Sequence, residues 1–395
     1  MTSHPITELI LHSKTKRFIA TIDIQKMFFS VRLSKESDRD MLSPFLAIWC
    51  LKETAKMWQT KYPEAAQIIL TKTYMDDILI LANSPEDMKV LVAQILLILE
   101  SGGFYGHKLS ANDPSLLDDL DPNRVEQSPT TSLLGLMLDH KTDEFKFDLD
   151  DKFKQFDEEA DVITRRNVVS LASQVFDTQG YVAPYVMRYK SILPLLWHNN
   201  NGWDENLLAK QTNDPITGKK PDEIAERAVI LFKEWISDAN TVGMGVAAYL
   251  ISEVGNGVLD SQLDFAKSSL MPKNLRKGAE AKDALTIARA ELIGIVMAVN
   301  VGRYLQNAYK SLINNEQLEY FTDSLLNLQR IQRGTGQCKV WEDRRIRKIL
   351  DGAPIEKFHF CPGKMNPADL PSRGCTLQEL QSQFKFWDQG SQSNV

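Results

Sequence analysis

The chain has 395 residues, enough for two or three hydrophobic cores, and its 43% hydrophobic and 25% charged residues exclude a disordered or fibrous class. A formal net charge of −6 argues mildly against a nucleic-acid partner for the chain as a whole. Cys50, Cys338, Cys361 and Cys375 have neither the pair spacing of a zinc site nor that of a disulfide framework, which points to a reducing compartment. His359 beside Cys361 adds too little for a metal site. The first 13 residues lack the basic start and apolar core of a signal peptide, and the longest apolar run, 90–99, falls short of a membrane span. No membrane partner is expected.

In chain order, the first informative string is FIATIDIQKMFFSVRL at 18–33, an apolar strand that ends on Asp23 and is followed by aromatics including Phe28. The second is LTKTYMDDILILA at 70–82. Ile68, Ile69 and Leu70 before it and Ile78 to Leu81 within it predict a β-hairpin with Asp76 and Asp77 at the tip. Adjacent carboxylates repel unless a cation lies between them, and oxygen ligands of this kind suit magnesium. A bare Asp-Asp between hydrophobics is more often a solvated turn, so the pair alone does not establish a metal site. The run 90–99, interrupted by Gln94, reads as an amphipathic helix, and SGGFYGHKLSAND at 101–113 carries Lys108.

The middle of the chain holds LLGLMLDHKTDEFKF at 133–147, QVFDTQGYVAPYVMRYKSILPLLW at 174–197, and then GWDENL. Val, Tyr, Leu and Trp with few charges predict a segment packed between two lobes, with Trp197 and Trp203 buried. Asp177-Thr178-Gln179 lacks the glycine of an aspartic-peptidase loop, and no Asp-Thr-Gly or Asp-Ser-Gly triplet occurs anywhere.

The last third carries a second acidic set. Asp238 stands near the start of SDANTVGMGVAAYLIS, and the strand-like MGVAAYLIS and VLDSQLDFA flank Gly255-Asn256-Gly257, a hairpin signal. Gly243 and Gly245 form no nucleotide loop, since a strand follows them. Residues 281–305 have helical periodicity, with Ala288, Ile295 and Val299 on the stripe that includes Glu291. A carboxylate there is costly unless paired or metal-bound, and a structural salt bridge to a nearby arginine is the plain alternative. Asp323 follows in LEYFTDS, and Asp369 sits in a short helical turn with Asn366 as N-cap, Pro367 first, and Pro371 as the stop. Lys273, Arg276, Lys277 and Lys282 precede the Glu291 helix, and Arg344, Arg345, Arg347 and Lys348 follow Asp323. Either group suits the phosphates of a duplex, or a solvated helix face.

Together the strings at 18–33, 70–82 and 101–113 resemble the polymerase palm of reverse transcriptases. The resemblance puts Asp23 on the first catalytic aspartate, Phe28 on the residue that screens the sugar 2′-hydroxyl, Tyr74-Met75-Asp76-Asp77 on the YxDD hairpin, and Lys108 on the lysine after it. Asp238, Glu291, Asp323 and Asp369 resemble, in type and order, the acidic set of ribonuclease H, whose order is also a β-meander followed by a helix. The strings at 133–147, 174–197 and GWDENL are similar to the region after the polymerase in Pol polyproteins of BEL/Pao long-terminal-repeat retrotransposons.

The resemblance implies an α/β and α+β chain: a partial palm at 1–125, a connecting, thumb-like region at 126–232, a ribonuclease H-like domain at 233–380 and a disordered tail at 381–395, in which Phe384, Phe386 and Trp387 pin the first half to a surface. It departs from the family at three points. Fingers are absent before Asp23, a palm block is contracted near Met41, and a strand is shortened at Trp235-Ile236-Ser237. Polymerisation is therefore not expected. The implied activity is hydrolysis of RNA in RNA–DNA hybrids by two Mg²⁺ or Mn²⁺ ions ~4 Å apart, held by Asp238, Glu291, Asp323 and Asp369. The palm would use Asp23, Asp76 and Asp77 in the same way. The implied partners are an RNA–DNA hybrid or template-primer, contacted by Phe28, Lys108, Lys273, Arg276 and Lys277, and other Pol or Gag chains. The implied location is intracellular: cytoplasm, virus-like particle or nucleus. The alternative is a non-catalytic retroelement remnant that at most binds nucleic acid.

Overall fold

The computed structural model describes residues 6–30, 43–126, 128, 130–133, 136–139, 144–147, 162–197, 202–207, 244–255, 258–270, 287–310 and 317–390. The chain divides into two units, Met1–Asp148 and Leu149–Val395. Both mix helix and sheet.

The first unit is built on a four-stranded antiparallel sheet of β1 (Phe18–Ile24), β2 (Thr73–Tyr74), β3 (Asp77–Ala82) and β4 (Gly106–Ala111), in the order β2-β3-β1-β4. Alternation decides the two faces of β1. Phe18, Ala20, Ile22 and Ile24 are buried in the main core, which leaves Ile19, Thr21 and Asp23 on the other side. The core face is covered by α2 (Ser43–Trp58), α3 (Pro63–Thr71) and α4 (Pro85–Ser101), through Ala47, Leu51, Ala66, Ile69, Leu91, Ile95 and Leu99. α4 starts sharply because Ser84 accepts the Asp87 N–H and Pro85 follows it. It is amphipathic as expected, with Val92 and Ile95 buried and Val90 exposed. On the opposite face Leu9 and Ile10 of α1 (Ile6–Ser13) meet Leu79 and Leu136. A small antiparallel sheet of β5 (Thr130–Leu133), β6 (Leu136–Asp139) and β7 (Glu144–Lys146) completes the unit.

One expected strand is a helix. Ile68, Ile69 and Leu70 belong to α3, because Pro63 at its start and the buried Ala65, Ala66 and Ile69 give the segment a helical face. The arm before the aspartates is therefore only the two residues of β2.

In the second unit β8 (Met244–Gly255) and β9 (Val258–Ser269) form the expected antiparallel hairpin, whose last register pair is Gly255 with Val258. β10 (Tyr320–Thr322) and β11 (Phe358–Phe360) pair in parallel. The 22-residue α7 (Ile287–Ala308) packs on both β8 and β10, burying Leu292, Ile295, Val299 and Leu305. Its Gly302 allows the approach of Tyr320, whose hydroxyl would lie 2.2 Å from an added Cβ. α8 (Leu325–Arg333) and α9 (Val340–Leu350) close this core through Leu328, Ile331, Ile346 and Ile349.

α5 (Arg165–Ser173) and α6 (Ala183–Leu196) precede the hairpin, and α6 lies against β9. Asp177 builds the turn between them by accepting the N–H groups of Gly180, Tyr181 and Val182 at 2.8–2.9 Å. That turn runs beside β9, where the Ala266 N–H donates to the Gln179 carbonyl at 2.7 Å. Gly180 is required here: its φ is +83°, and a Cβ would stand 1.9 Å from the Ala266 oxygen. Trp197 and Trp203, expected to be buried, are 50% and 49% exposed and meet edge to face at 5.8 Å. They lie after the end of α6, where Arg165 stands over Trp197 and Arg166 over Trp203.

α10 (Asp369–Arg373), α11 (Leu377–Ser382) and α12 (Phe384–Gln389) end the unit. The expected disordered tail is thus helical to Gln389. Trp387 is the reason: it is buried to 2% exposure, and its indole N–H donates to the Tyr181 carbonyl at 2.7 Å. The Tyr249 hydroxyl donates to the Trp387 carbonyl at 2.8 Å and fixes the same helix on β8.

Candidate active sites

In the first unit β1 and β3 bring Asp23 and Asp77 together, with Asp76 at the turn before β3. Asp23 and Asp77 are register partners, and the Ile24 N–H donates to the Asp76 carbonyl at 2.9 Å. Met75, at φ +51°, turns the chain between Tyr74 and Asp77, so Met75 and Asp76 form the tip and Asp77 opens the strand. Burial pushes the Asp77 carboxyl up to about 7, with Asp76 and then Asp23 adding repulsion that Lys108 offsets in part. Asp23 is also raised by burial, against the opposing pull of His107, whose Nδ1 lies 3.2 Å from its Oδ1. His107 was not read from the sequence. It lies one residue before Lys108 on β4, and only the β1–β4 pairing places it beside Asp23. Phe28 sits in a 3₁₀ turn and packs partly against the core, whereas Phe29 is 86% exposed.

In the second unit, Glu291 lies in the first turns of α7 and Asp323 follows directly on β10. Asn327 joins the two elements. It is wholly buried, and its amide Nδ2 donates to the Ala288 carbonyl (2.7 Å) and the Ser324 hydroxyl (2.9 Å), with Glu291 Oε2 in longer contact at 3.5 Å. Its Oδ1 accepts from Arg330 at 3.0 Å. Asp369 opens α10, where Arg373 Nε donates to its Oδ1 at 2.8 Å. α10 is held on β8 by Gly245, since an added Cβ there would come within 2.6 Å of the Ala368 oxygen and the Ser372 nitrogen. The buried Glu342 binds Arg289 Nε at 2.9 Å, and Trp341 lies under both Arg289 and Arg345. Arg345 is therefore no simple solvated charge. Asp238, Lys273, Arg276 and Lys277 fall outside the described residues.

A hard divalent cation fits the chemistry of both oxygen-donor sets, and crowding at Asp77 is the strain that such an ion would relieve. Among the described residues, however, no three His, Cys, Asp or Glu side chains converge closely enough to hold a metal ion as they stand. Also among these residues, no helix is long and apolar enough to cross a membrane.

Residues 164–324 match the family described as "Pao retrotransposon-like RNaseH-like domain". The match opens in the segment before the hairpin and ends one residue past Asp323. Two foamy viral structures align with the fold. A protease-reverse transcriptase dRH in complex with double-stranded DNA aligns at TM-score 0.49 and 12% identity, over 92% of this chain and 60% of that one. The protease-reverse transcriptase in complex with RNA/DNA hybrid aligns at TM-score 0.48 and 12% identity, over 92% of this chain and 46% of that one. The chain thus spans about half the length of these proteins. No curated protein matches the sequence.

Proposed function

From the premise that residues 164–324 are similar to the Pao retrotransposon ribonuclease H-like domain, we propose that this chain is a Pol-derived fragment that hydrolyses the RNA strand of RNA–DNA hybrids in its second unit. The observation that carries this reading is the meeting of α7 with β10, which brings Glu291 and the turn after Asp323 onto one buried asparagine. Glu291, Asp323, Asp369 and Asp238 would hold Mg²⁺ or Mn²⁺, which when bound supplies an activated water and neutralises charge on the leaving oxygen.

The palm carboxylates Asp23, Asp76 and Asp77 form a second candidate set, with Lys108 offsetting their charge. Primer extension is not proposed for the chain, because Arg39-Asp40-Met41 runs almost directly into Ser43-Pro44-Phe45 and omits a block that the palm resemblance requires. The Arg373 bond to Asp369 favours a second reading, a non-catalytic nucleic-acid binder. The proposal extends to other Pol or Gag chains as partners and to a location inside the cell, in cytoplasm, particle or nucleus.

The test is hydrolysis of a labelled hybrid with and without chelator. Metal-dependent cleavage that spares single-stranded RNA, and that falls at least ~100-fold in Asp323→Asn, is the expected result. Hybrid binding that persists in chelator without any cleavage favours the binder, and an Asp323→Asn variant as active as wild type removes the site.

A further inference from the structure

We infer that Asn327 is a positioning residue that sets the carboxylate of Glu291 against the turn bearing Asp323; the inference deepens the ribonuclease reading and rests on it. An asparagine with no exposure inside α8 is costly unless all its polar atoms are engaged. Here they are engaged across two elements rather than within one.

Asn327 is the third residue of α8, a place from which a side chain normally turns back to cap its own helix. Ser324 takes the N-cap role instead, accepting the Asn327 N–H at 3.4 Å, while the Ser324 N–H donates to Thr322 Oγ1 at 3.2 Å. The amide, still bonded to Ser324 Oγ at 2.9 Å, also reaches across to α7. Its bond to the Ala288 carbonyl fixes the helix one turn before Glu291, and its contact with Glu291 Oε2 orients the carboxylate itself. Arg330 decides which way round the amide lies, since a guanidinium can only donate and so holds Oδ1 towards itself. Nδ2 must then face Ala288 and Glu291. The same side chain touches Ser324, the residue next to Asp323, so one buried group ties together the backbone that carries both carboxylates. Leucine, of nearly the same size, would fill the space and orient nothing.

The experiment compares wild type with Asn327→Leu, Asn327→Asp and Arg330→Met in the full chain. For hybrid cleavage, Asn327→Leu and Asn327→Asp should lower kcat at least ~10-fold with KM for hybrid unchanged, and should raise the Mn²⁺ concentration for half-maximal rate by a similar factor. Arg330→Met, which keeps the asparagine but frees its amide to flip, should show the same pattern more weakly. A fall in stability with an unaltered Mn²⁺ response would show a merely structural residue and overturn the inference.

A second readout does not depend on cleavage. In metal-free, ¹⁵N-labelled protein the Asn327 side-chain NH₂ resonances should be slow to exchange and should move in Glu291→Ala. Resonances that stay in place in Glu291→Ala overturn the inference even if the hybrid is cleaved. Resonances that move in Glu291→Ala although the wild type cleaves no hybrid sustain the Asn327–Glu291 link and reject the ribonuclease reading alone.

Discussion

Asp23 and Asp77 are direct register partners on β1 and β3, so backbone pairing holds two carboxylates side by side on one face of the sheet. Asp76 adds a third negative group at the turn. Burial is the main reason that the Asp77 carboxyl is raised, and the repulsion from Asp76 and Asp23, which the paired strands hold in place, adds to it.

The first prediction follows from that carboxyl. Its pKa is about 7 in the fold against 3.8 ordinarily, so between those values the native state holds a proton that the unfolded chain has lost. Stability of the first unit should then fall as pH rises from about 4 to about 7, by on the order of 2 kcal/mol after solvent screening. Hydrogen exchange of β1 and β3 amides in chelator, at pH 5 and 8, checks this with exchange rates corrected for pH. Asp77→Asn should flatten the slope; a slope that persists in that variant assigns it elsewhere.

Asp177 gives the second unit a comparable dependence over a narrower window. Burial raises its carboxyl to about 6 in spite of three backbone N–H donors that favour the ionised form. The native state again binds the extra proton, so stability should decline from pH 4 to 6 and then level off. Asp177→Asn keeps the Oδ1 that accepts from Gly180 and Tyr181, and should cost about 1 kcal/mol while removing the decline. Asp177→Ala strands all three donors and should cost about 2–4 kcal/mol. Denaturant melts followed at α6 amides measure both, and equal costs for the two variants would contradict the assigned bonds.

Gly245 ties stability to the acidic set. An alanine methyl would press on the Ala368 oxygen and Ser372 nitrogen, both backbone atoms of the turn that presents Asp369. Gly245→Ala should therefore cost about 1–3 kcal/mol and displace α10. Hybrid hydrolysis should drop at least ~10-fold at temperatures where the variant is fully folded. Normal activity in a destabilised variant would show that the placement of Asp369 on α10 does not matter to the reaction.

Much of the local structure was legible from residue order. The periodicity of 281–305 and the apolar run at 90–99 mark α7 and α4, and Gly255-Asn256-Gly257 marks the β8–β9 hairpin, because side-chain spacing and turn chemistry act over a few residues. Asp23, Asp76, Asp77 and Glu291 stand out for the same reason, as charges within apolar strings, whereas Asp323 and Asp369 are marked by the resemblance to ribonuclease H. What covers a face is not local information. Whether Ile68 to Leu70 serve a strand or a helix depends on Ala65 and Ala66 finding the core, and whether Trp197 is covered depends on what lies beyond α6. Trp387 is buried only because Tyr181 and Tyr249, far away in sequence, offer it a carbonyl and a hydroxyl. Asn327 carries no sequence signal beyond its place four residues after an aspartate. Tertiary packing alone brings Ala288, Glu291, Ser324 and Arg330 around one amide, since a buried polar group draws its meaning from partners that the linear order does not put beside it.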